Sequence, residues 1–428
     1  MKIELKSMRE VEFIAPLKWV EQNNYHDLSL LTGDKTQSEF SLCGWNPVQQ
    51  VKFKDDPQVW DKISEIVERF DFSQLPLPAK RCGWIGYLTY DLGRYLEELP
   101  NLTAYSYHIP EAILTLYKSY RYWDSKAHKC YEIEFDFADF TPSQLKEHQS
   151  DDHYQVTHLT QECNQEEYCR KVKTIQDYML TGDIYEANLT QQFSAKFSGS
   201  PWALFRTLYQ KNSAPFSAFL SFPELTICSI SPEQFLSCED RQVMTKPIKG
   251  TAPRGKSPAE DKQNREALLS SAKDLTELHM VVDLLRNDLS KVCEIGSVNV
   301  LHPNKLETFA NVFHLVASVE GILKEDLSIV DLIKACFPGG SITGCPKIAS
   351  LEVIEKLESY KRNLYTGTIF VLNNSFLQSS IVIRTGVVVQ DKIFINSGGA
   401  ITIESDPKSE YQEVLDKITT FLDIREVE

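Results

Sequence analysis

Thr245-Lys246-Pro247-Ile248-Lys249-Gly250-Thr251-Ala252-Pro253-Arg254-Gly255 sets one amine, Lys249, between an apolar dipeptide and a Gly-Thr pair. Pro247, Gly250, Pro253 and Gly255 punctuate the stretch, which reads as a rigid loop rather than a helix or a long strand. Rigid loops on a scaffold are where catalytic groups tend to sit. A lysine held there and partly desolvated is expected to lose its proton near neutral pH and to act as a nucleophile. The competing reading is a surface lysine in a turn, so the surroundings must decide.

Outward from this stretch, Tyr117 to Trp123 and Tyr131 to Phe137 read as strands, and Cys82 to Leu88 as a buried strand with close-packing glycines. Residues 141–165 are polar, with His148, His153 and His158 among acids. Their spacing of five matches neither helix nor strand, so a solvated linker is preferred to a metal site. Asn164 caps a helix with Glu167 at the capping-box position, Gly182 ends it, and Tyr168, Val172, Ile175 and Met179 form its stripe. Ser217 to Phe222 and Leu225 to Ile230 are strand-like, Ser257-Pro258-Ala259-Glu260 starts a helix, and another carries Asp274 to Leu289. Strands at Thr366 to Leu372, Ser380 to Val389 and Lys392 to Ile395 precede a last helix near Pro407. Helices and strands mix without a βαβ rhythm, which predicts an α+β fold with largely antiparallel sheet.

The 428 residues carry a formal net charge of −15, which argues against nucleic acid and anionic membrane as partners. Met1 to Lys6 has no apolar signal core, and no apolar run approaches a membrane span. The ten cysteines include no C-x-x-C pair, as expected of reduced thiols in a cytoplasmic protein.

Two groups of residues could serve a ligand. Glu410 and Glu413 share a face of the last helix with Lys417, and Glu277 lies between Leu275 and Leu278. Oxygen donors of this kind suit Mg2+, although a solvated helix face would look the same. Phe337 to Lys347 is a glycine loop leading into a helical segment, Ile348 to Leu357, and Ser397-Gly398-Gly399-Ala400 reads as a second glycine turn. Such amides favour an anion, and Arg384, in the strand Ile381 to Thr385, calls for one. Neither loop is a nucleotide-binding motif.

Taken in order, Gly83 to Leu88, Tyr90 to Arg94, Gly182 to Gln191, Ser231-Pro232-Glu233, the Lys249 stretch, Val282 to Leu289, the Pro338 loop and Ser405-Asp406-Pro407 with Glu410 and Glu413 resemble the chorismate-utilising enzymes over nearly the whole chain. Pro-Ile-Lys-Gly-Thr resembles the aminodeoxychorismate synthase branch, since the anthranilate branch carries alanine at the lysine. The resemblance implies an anthranilate synthase component I-like β-sandwich flanked by helices, with an N-terminal region over 1–150 and a chorismate-binding catalytic domain over 160–428. It implies component I of a transferase that makes 4-amino-4-deoxychorismate for 4-aminobenzoate and folate synthesis.

The residues that match the family's motifs take their roles from it. Lys249 would be the nucleophile, Glu233 the general acid, and His314 a group near the leaving hydroxyl, though it otherwise reads as a core histidine. Thr251, Tyr365, Arg384, Gly398, Gly399 and Lys417 would hold the substrate, as would Ser341 and Thr343 of the glycine loop. Glu277 and Glu413 would bind Mg2+, with Glu410 acting through water. The chain departs from the family at His279, Cys345 and Ala400, and Leu30 to Gly33 replaces the Leu-Glu-Ser signature of tryptophan-inhibited relatives. None of the cysteines sits on the G-x-C-x-G elbow of a glutaminase, so the expected ammonia source is a separate glutamine amidotransferase subunit, forming a heterodimer.

Overall fold

The structure is a computed structural model that describes residues 3–23, 27–33, 38–137, 153–309 and 312–422. The first stretch comprises β1 (Ile3–Val11), α1 (Pro16–Asn23), β2 (Ser29–Thr32), β3 (Phe40–Phe53), α2 (Val59–Glu68), β4 (Trp84–Leu88), β5 (Ala112–Asp124), β6 (Lys129–Phe137) and β7 (Tyr154–Gln161). It continues through α3 (Gln165–Leu180), β8 (Glu186–Gly199), α4 (Pro201–Lys211), β9 (Phe216–Ser221), β10 (Thr226–Ser231), β11 (Gln234–Glu239), β12 (Gln242–Lys246) and β13 (Ile248–Pro253). The remainder is α5 (Pro258–Leu269), α6 (Ala272–Val292), β14 (Asn299–Thr308), β15 (Val312–Ile322), α7 (Ile329–Cys336), β16 (Gly344–Cys345), α8 (Lys347–Leu357), β17 (Thr368–Leu372), β18 (Phe376–Ile381), β19 (Thr385–Val389), β20 (Lys392–Ile401) and α9 (Pro407–Leu422).

The helix starts follow the capping chemistry of the sequence. The Asn164 side chain accepts from the Glu167 amide, Ser257 from Glu260, and Asp406 from Ser409. Gly182, at φ +83, takes the left-handed turn after α3.

Two arms of antiparallel strands diverge from β5. One runs β5–β3–β2–β9–β10–β19–β20–β8, with β7 and β16 sharing the far edge of β8. The other runs β5–β4–β17–β18–β11–β12–β15, and β15 also pairs with β13 and β14. Period-two alternation makes the first arm two-sided. Ala218, Leu220, Ile227, Val387 and Phe394 enter the core between the arms, while Phe219, Cys228, Val388, Ile393 and Ile395 join a second core. That second core is closed from outside by α3, α4 and α9. Tyr87 against Phe222 and Tyr107 stacked on Phe394 close the inner one. With α6 and α7 covering the second arm, this is the antiparallel α+β sandwich expected from the sequence.

Four segments depart from their sequence readings. The Lys249 stretch is not a loop: β12 and β13 flank Pro247, and both pair with β15. The polar stretch 141–165 is not all linker, because Tyr154 to Gln161 adds β7 to the edge of β8, with Tyr154 and Val156 buried. The part through residue 152, with His148, lies outside the described residues. Gly398 and Gly399 are not a turn but the middle of β20, paired with Thr190 and Leu189. Arg384 is not inside a strand: it sits between β18 and β19 at φ +51.

Gly86 shows how tightly the arms join. It pairs with Leu114 on one side and Phe370 on the other, and a Cβ there would run into the Ile113 carbonyl. Gly86→Ala is expected to lose about 3 kcal/mol of stability, measured by denaturant unfolding.

Candidate active site

The chain crosses from one arm to the other twice at the same place. Between β10 and β11 it passes through Pro232 and Glu233, and between β18 and β19 through Val382 to Arg384. Backbone bonds stitch the crossings together: the Ile381 amide donates to the Glu233 carbonyl and the Ile230 amide to the Arg384 carbonyl, both at 3.1 Å. The Ser231 hydroxyl donates to the Ile381 carbonyl at 2.6 Å. Two distant charged residues therefore meet because the sandwich has a seam, not because of any local motif.

Lys249 comes to this seam on β13. The ladder to β15 pairs Lys249 with Leu315 and Thr251 with His314, and the register shifts between them at Gly250, whose φ is +73. A bulge of this kind re-aims the side chains on either side of it. Thr251 Oγ1 and His314 Nδ1 lie 2.9 Å apart. Burial first, then the nearby Arg384 cation, depresses the His314 imidazole to about 4, so it is neutral at pH 7.

Lys249 is 9% exposed, and its Nζ donates to Glu186 Oε1 at 2.9 Å. Burial alone would pull the amine down, but the charges of Glu186, Glu277 and Glu233 outweigh it and hold the ammonium above its ordinary value. The expectation of an amine neutral near pH 7 is thus corrected: without substrate, Lys249 is a cation in a buried ion pair. Glu233 behaves oppositely. Burial raises its carboxyl to about 7 against the bond it accepts from Ser341, 2.6 Å from Ser341 Oγ to Oε1, and against the Lys249 charge.

Around these lie the other residues singled out in the sequence. Tyr365 is buried, and desolvation pushes its phenol up. No hydrogen bond or ion pair engages the Arg384 guanidinium among the described residues, and burial draws its pKa down despite Tyr365 and Glu413. An unpaired, half-buried guanidinium of this kind is a receptor for a carboxylate. Thr343 is fully buried, and its hydroxyl donates back to the Gly339 carbonyl at 3.1 Å, bracing the glycine loop.

The glutamates converge from two helices. Glu277 on α6 is buried, which raises it to about 7 although Lys249 opposes the shift, and its Oε1 has no hydrogen-bond partner. Lys273 Nζ lies 3.2 Å from Glu410 Oε1 and 3.8 Å from Glu277 Oε1. Glu413 pairs with Lys417 at 2.7 Å; burial pushes its carboxyl up, but Lys417 and Lys273 hold it below the usual range. Lys417 also donates to the Gly398 carbonyl at 2.8 Å. Gly399 opens onto this space: a Cβ there would meet Glu410 Oε2 at 3.4 Å, Lys417 Nζ at 3.7 Å and Glu413 Oε1 at 3.8 Å. As they stand, no three His, Cys, Asp or Glu among the described residues are close enough to share a metal. The donors nevertheless fit Mg2+ in kind, being oxygen only, with Glu277 and Glu410 already gathered on the single cation of Lys273.

A cavity of about 740 Å³ opens elsewhere, lined by Pro232, Gln234 and Ile248 but not by Glu233 or Lys249. Strand alternation explains the division: neighbours along these segments face opposite sides of the sheet. The reactive side chains lie on the side away from this cavity.

Sequence reasoning assigned no role to Glu186 or Lys273. Glu186 lay inside the Gly182 to Gln191 segment that resembles the family, but no role was attached to it there. Its partner lies 63 residues away, so no local period could have exposed the pair.

The chain is similar to known proteins along most of its length. A family model for chorismate binding enzymes matches residues 27–423. The chain is 37% identical over 380 residues to "Aminodeoxychorismate synthase component 1" of Escherichia coli (strain K12), covering 86% of this chain and 82% of that one. It is 33% identical over 395 residues to "Anthranilate synthase component 1 1" of Haloarcula marismortui, covering 85% and 80%. Among solved structures, anthranilate synthase component I from Streptococcus pneumoniae TIGR4 superposes with a TM-score of 0.78 at 28% identity, covering 90% of this chain and 92% of that one. With its family model matching residues 27–423, this protein belongs to the chorismate binding enzymes.

Proposed function

We propose that the chain is component I of an aminodeoxychorismate synthase, converting chorismate and ammonia to 4-amino-4-deoxychorismate through a covalent bond to Lys249. The observation that carries this is a buried lysine facing a buried glutamic acid, in the Pro-Ile-Lys-Gly-Thr context. Replacing the C4 hydroxyl by an amine with retained geometry takes two displacements. Lys249 makes the first at C2, once its ammonium has lost a proton. Glu233, neutral up to about pH 7, protonates the departing C4 hydroxyl so that it leaves as water. Ammonia then bonds to C4 and Lys249 is released.

Arg384 and Tyr365 are suited to hold a substrate carboxylate, with Lys417 and the Gly398-Gly399 backbone beside them. Glu277, Glu410 and Glu413 would hold Mg2+, which when bound offsets the charge of a second carboxylate and of the ring. Thr251 orients the neutral His314 beside the reacting face. The ammonia is assigned to a separate glutamine amidotransferase subunit. The names of the relatives as component 1 support a second component, and the sequence has no glutaminase elbow of its own.

Incubation with chorismate, Mg2+ and ammonium, with the product identified by mass and fluorescence, tests the reading. 4-Amino-4-deoxychorismate is expected, and anthranilate as the main product would contradict it. A pH profile tests the acid. Burial raises the Glu233 pKa, so its proton is present below about pH 7 and lost above. kcat/KM for chorismate at saturating Mg2+ should therefore fall as pH rises through about 7. Glu233→Gln should remove that limb and lower the rate by about 100-fold or more.

A further inference from the structure

The motif Tyr90 to Arg94 has no part in the chemistry proposed above. It forms a 3₁₀ turn after β4, and Asp91 within it is 2% exposed. Asp91 Oδ2 accepts the Asn363 amide at 2.9 Å. In return the Tyr90 amide donates to the Asn363 carbonyl at 2.8 Å. A Cβ on Gly367 would strike the Leu88 carbonyl, so the two segments lie in direct contact. Burial pushes the Asp91 carboxyl up to about 6, against the charges of Lys361 and Arg94, so at pH 7 it is ionised and accepts.

The turn that Asp91 holds carries Tyr365. Asn363 and Thr366 on either side of it have left-handed backbone, at φ +52 and +60, a region that a β-branched threonine strongly disfavours. Strain of this kind persists only where the surroundings impose it, and it gathers at ligand clamps. Here the two bonds between Tyr90, Asp91 and Asn363 fix one end of the turn. At the other, the Thr366 amide donates to the Val382 carbonyl at 2.7 Å, and the Val382 amide to the Gly367 carbonyl at 3.0 Å. Two residues beyond Val382 stands Arg384, itself at φ +51. The left-handed residues thus belong to one backbone assembly, and Tyr365 and Arg384 are part of it.

Building on the substrate roles proposed above for Tyr365 and Arg384, we propose that Asp91 is a positioning residue for chorismate: it locks the strained turn at Asn363 and so sets the Tyr365–Arg384 clamp from the N-terminal half of the chain. Its carboxylate touches no reacting atom. It keeps the clamp in place before the substrate arrives, which spares binding the cost of ordering it. The carboxylate that the clamp grips is unchanged by the reaction, so a loosened clamp weakens binding more than it slows the chemistry. Linkage makes the effect reciprocal: substrate in the clamp tightens the Asp91 contact in turn. A different role, as counter-ion to Lys361 and to Arg94, whose Nε lies 3.5 Å from Asp91 Oδ1, would depend on charge and not on the Asn363 bond.

Steady-state kinetics of the full chain with chorismate, Mg2+ and ammonium separates the two. Asp91→Ala removes the acceptor and is expected to raise KM for chorismate about 10-fold or more, with kcat changed about 3-fold at most. Asp91→Asn keeps an acceptor oxygen but loses the charge, and should hold KM within about 3-fold of the unsubstituted chain. Equal impairment of Asp91→Asn and Asp91→Ala, or an unchanged KM in Asp91→Ala, would overturn the assignment. If Asp91→Ala does not fold, hydrogen exchange on the unsubstituted protein decides. Chorismate should slow exchange in residues 88–95 together with 362–366, and no slowing in 88–95 would count against Asp91. Failure of the unsubstituted chain to consume chorismate would instead overturn the reading on which the proposal rests.

Discussion

Lys249→Ala is expected to abolish amination at C4, with a loss of about 1000-fold or more, because the two-displacement route has no other nucleophile. In the structure Lys249 is the amine set between Glu186 and Glu233, and the ammonium of Lys273 is engaged by Glu410 and Glu277. The substitution also strands the Glu186 carboxylate in a buried site, where removing one partner of an ion pair costs about 3–5 kcal/mol unless the survivor takes up a proton. Stability must therefore be followed alongside rate. Lys249→Met fills most of the lysine volume, and in combination with Glu186→Gln it removes the stranded charge. If the double variant regains stability but not amination, the loss lies in the chemistry. Amination at C4 by folded Lys249→Ala, at a rate near that of the unsubstituted chain, would remove the covalent route. The assay is product formation from chorismate, Mg2+ and ammonium, resolved by mass.

The second large effect is on stability. Arg362 is 2% exposed and forks onto Glu358, with Nε to Oε2 at 2.9 Å and Nη2 to Oε1 at 2.7 Å. It also donates to the Ile342 carbonyl at 2.9 Å and the Asn188 carbonyl at 2.5 Å, and its guanidinium lies 4.7 Å from the centre of the Tyr90 ring. Glu358 in turn accepts the amide and the hydroxyl of Thr190. One side chain thus ties the glycine loop, β8 and the turn before β17 into a single block. Arg362→Met should destabilise the protein by about 3–5 kcal/mol, because it leaves the buried Glu358 carboxylate without its cation and takes a donor from the Asn188 and Ile342 carbonyls. Arg362→Lys should rescue little of this, since an ammonium cannot reproduce the planar fork. Denaturant unfolding measures both. A loss under about 1 kcal/mol, typical of surface pairs, would mean that the block is held otherwise.

The helices were legible because their signals are local. Asn164, Ser257 and Asp406 each accept the amide three residues on, so spacing alone located three starts. Strands edged by glycine and proline were not. The Lys249 stretch looks like a loop, yet β15 supplies a ladder that no local property announces, and Gly250 is absorbed as a bulge rather than a turn. Gly398 and Gly399 misled in the same way: paired with β8, they are a strand without side chains that leaves space for Glu410, Glu413 and Lys417.

At the site, the residues quoted from motifs do converge, but what their neighbours do to them was hidden. The charge on Lys249 depends on Glu186, Glu277 and Glu233, which come from three separate parts of the chain. The i,i+4 spacing of Glu358 and Arg362 was visible, and could have been read as an exposed helix pair; only burial makes it structural.

The most direct test of the account is to quench the unsubstituted protein after mixing with chorismate and Mg2+ in the absence of ammonium, digest it, and map the peptides by mass spectrometry. A substrate-derived adduct is expected on the peptide carrying Lys249, and it should disappear on a chase with ammonium as 4-amino-4-deoxychorismate is released. A protein that turns chorismate over when ammonium is added, yet yields no adduct on that lysine under any quench, would contradict the central claim.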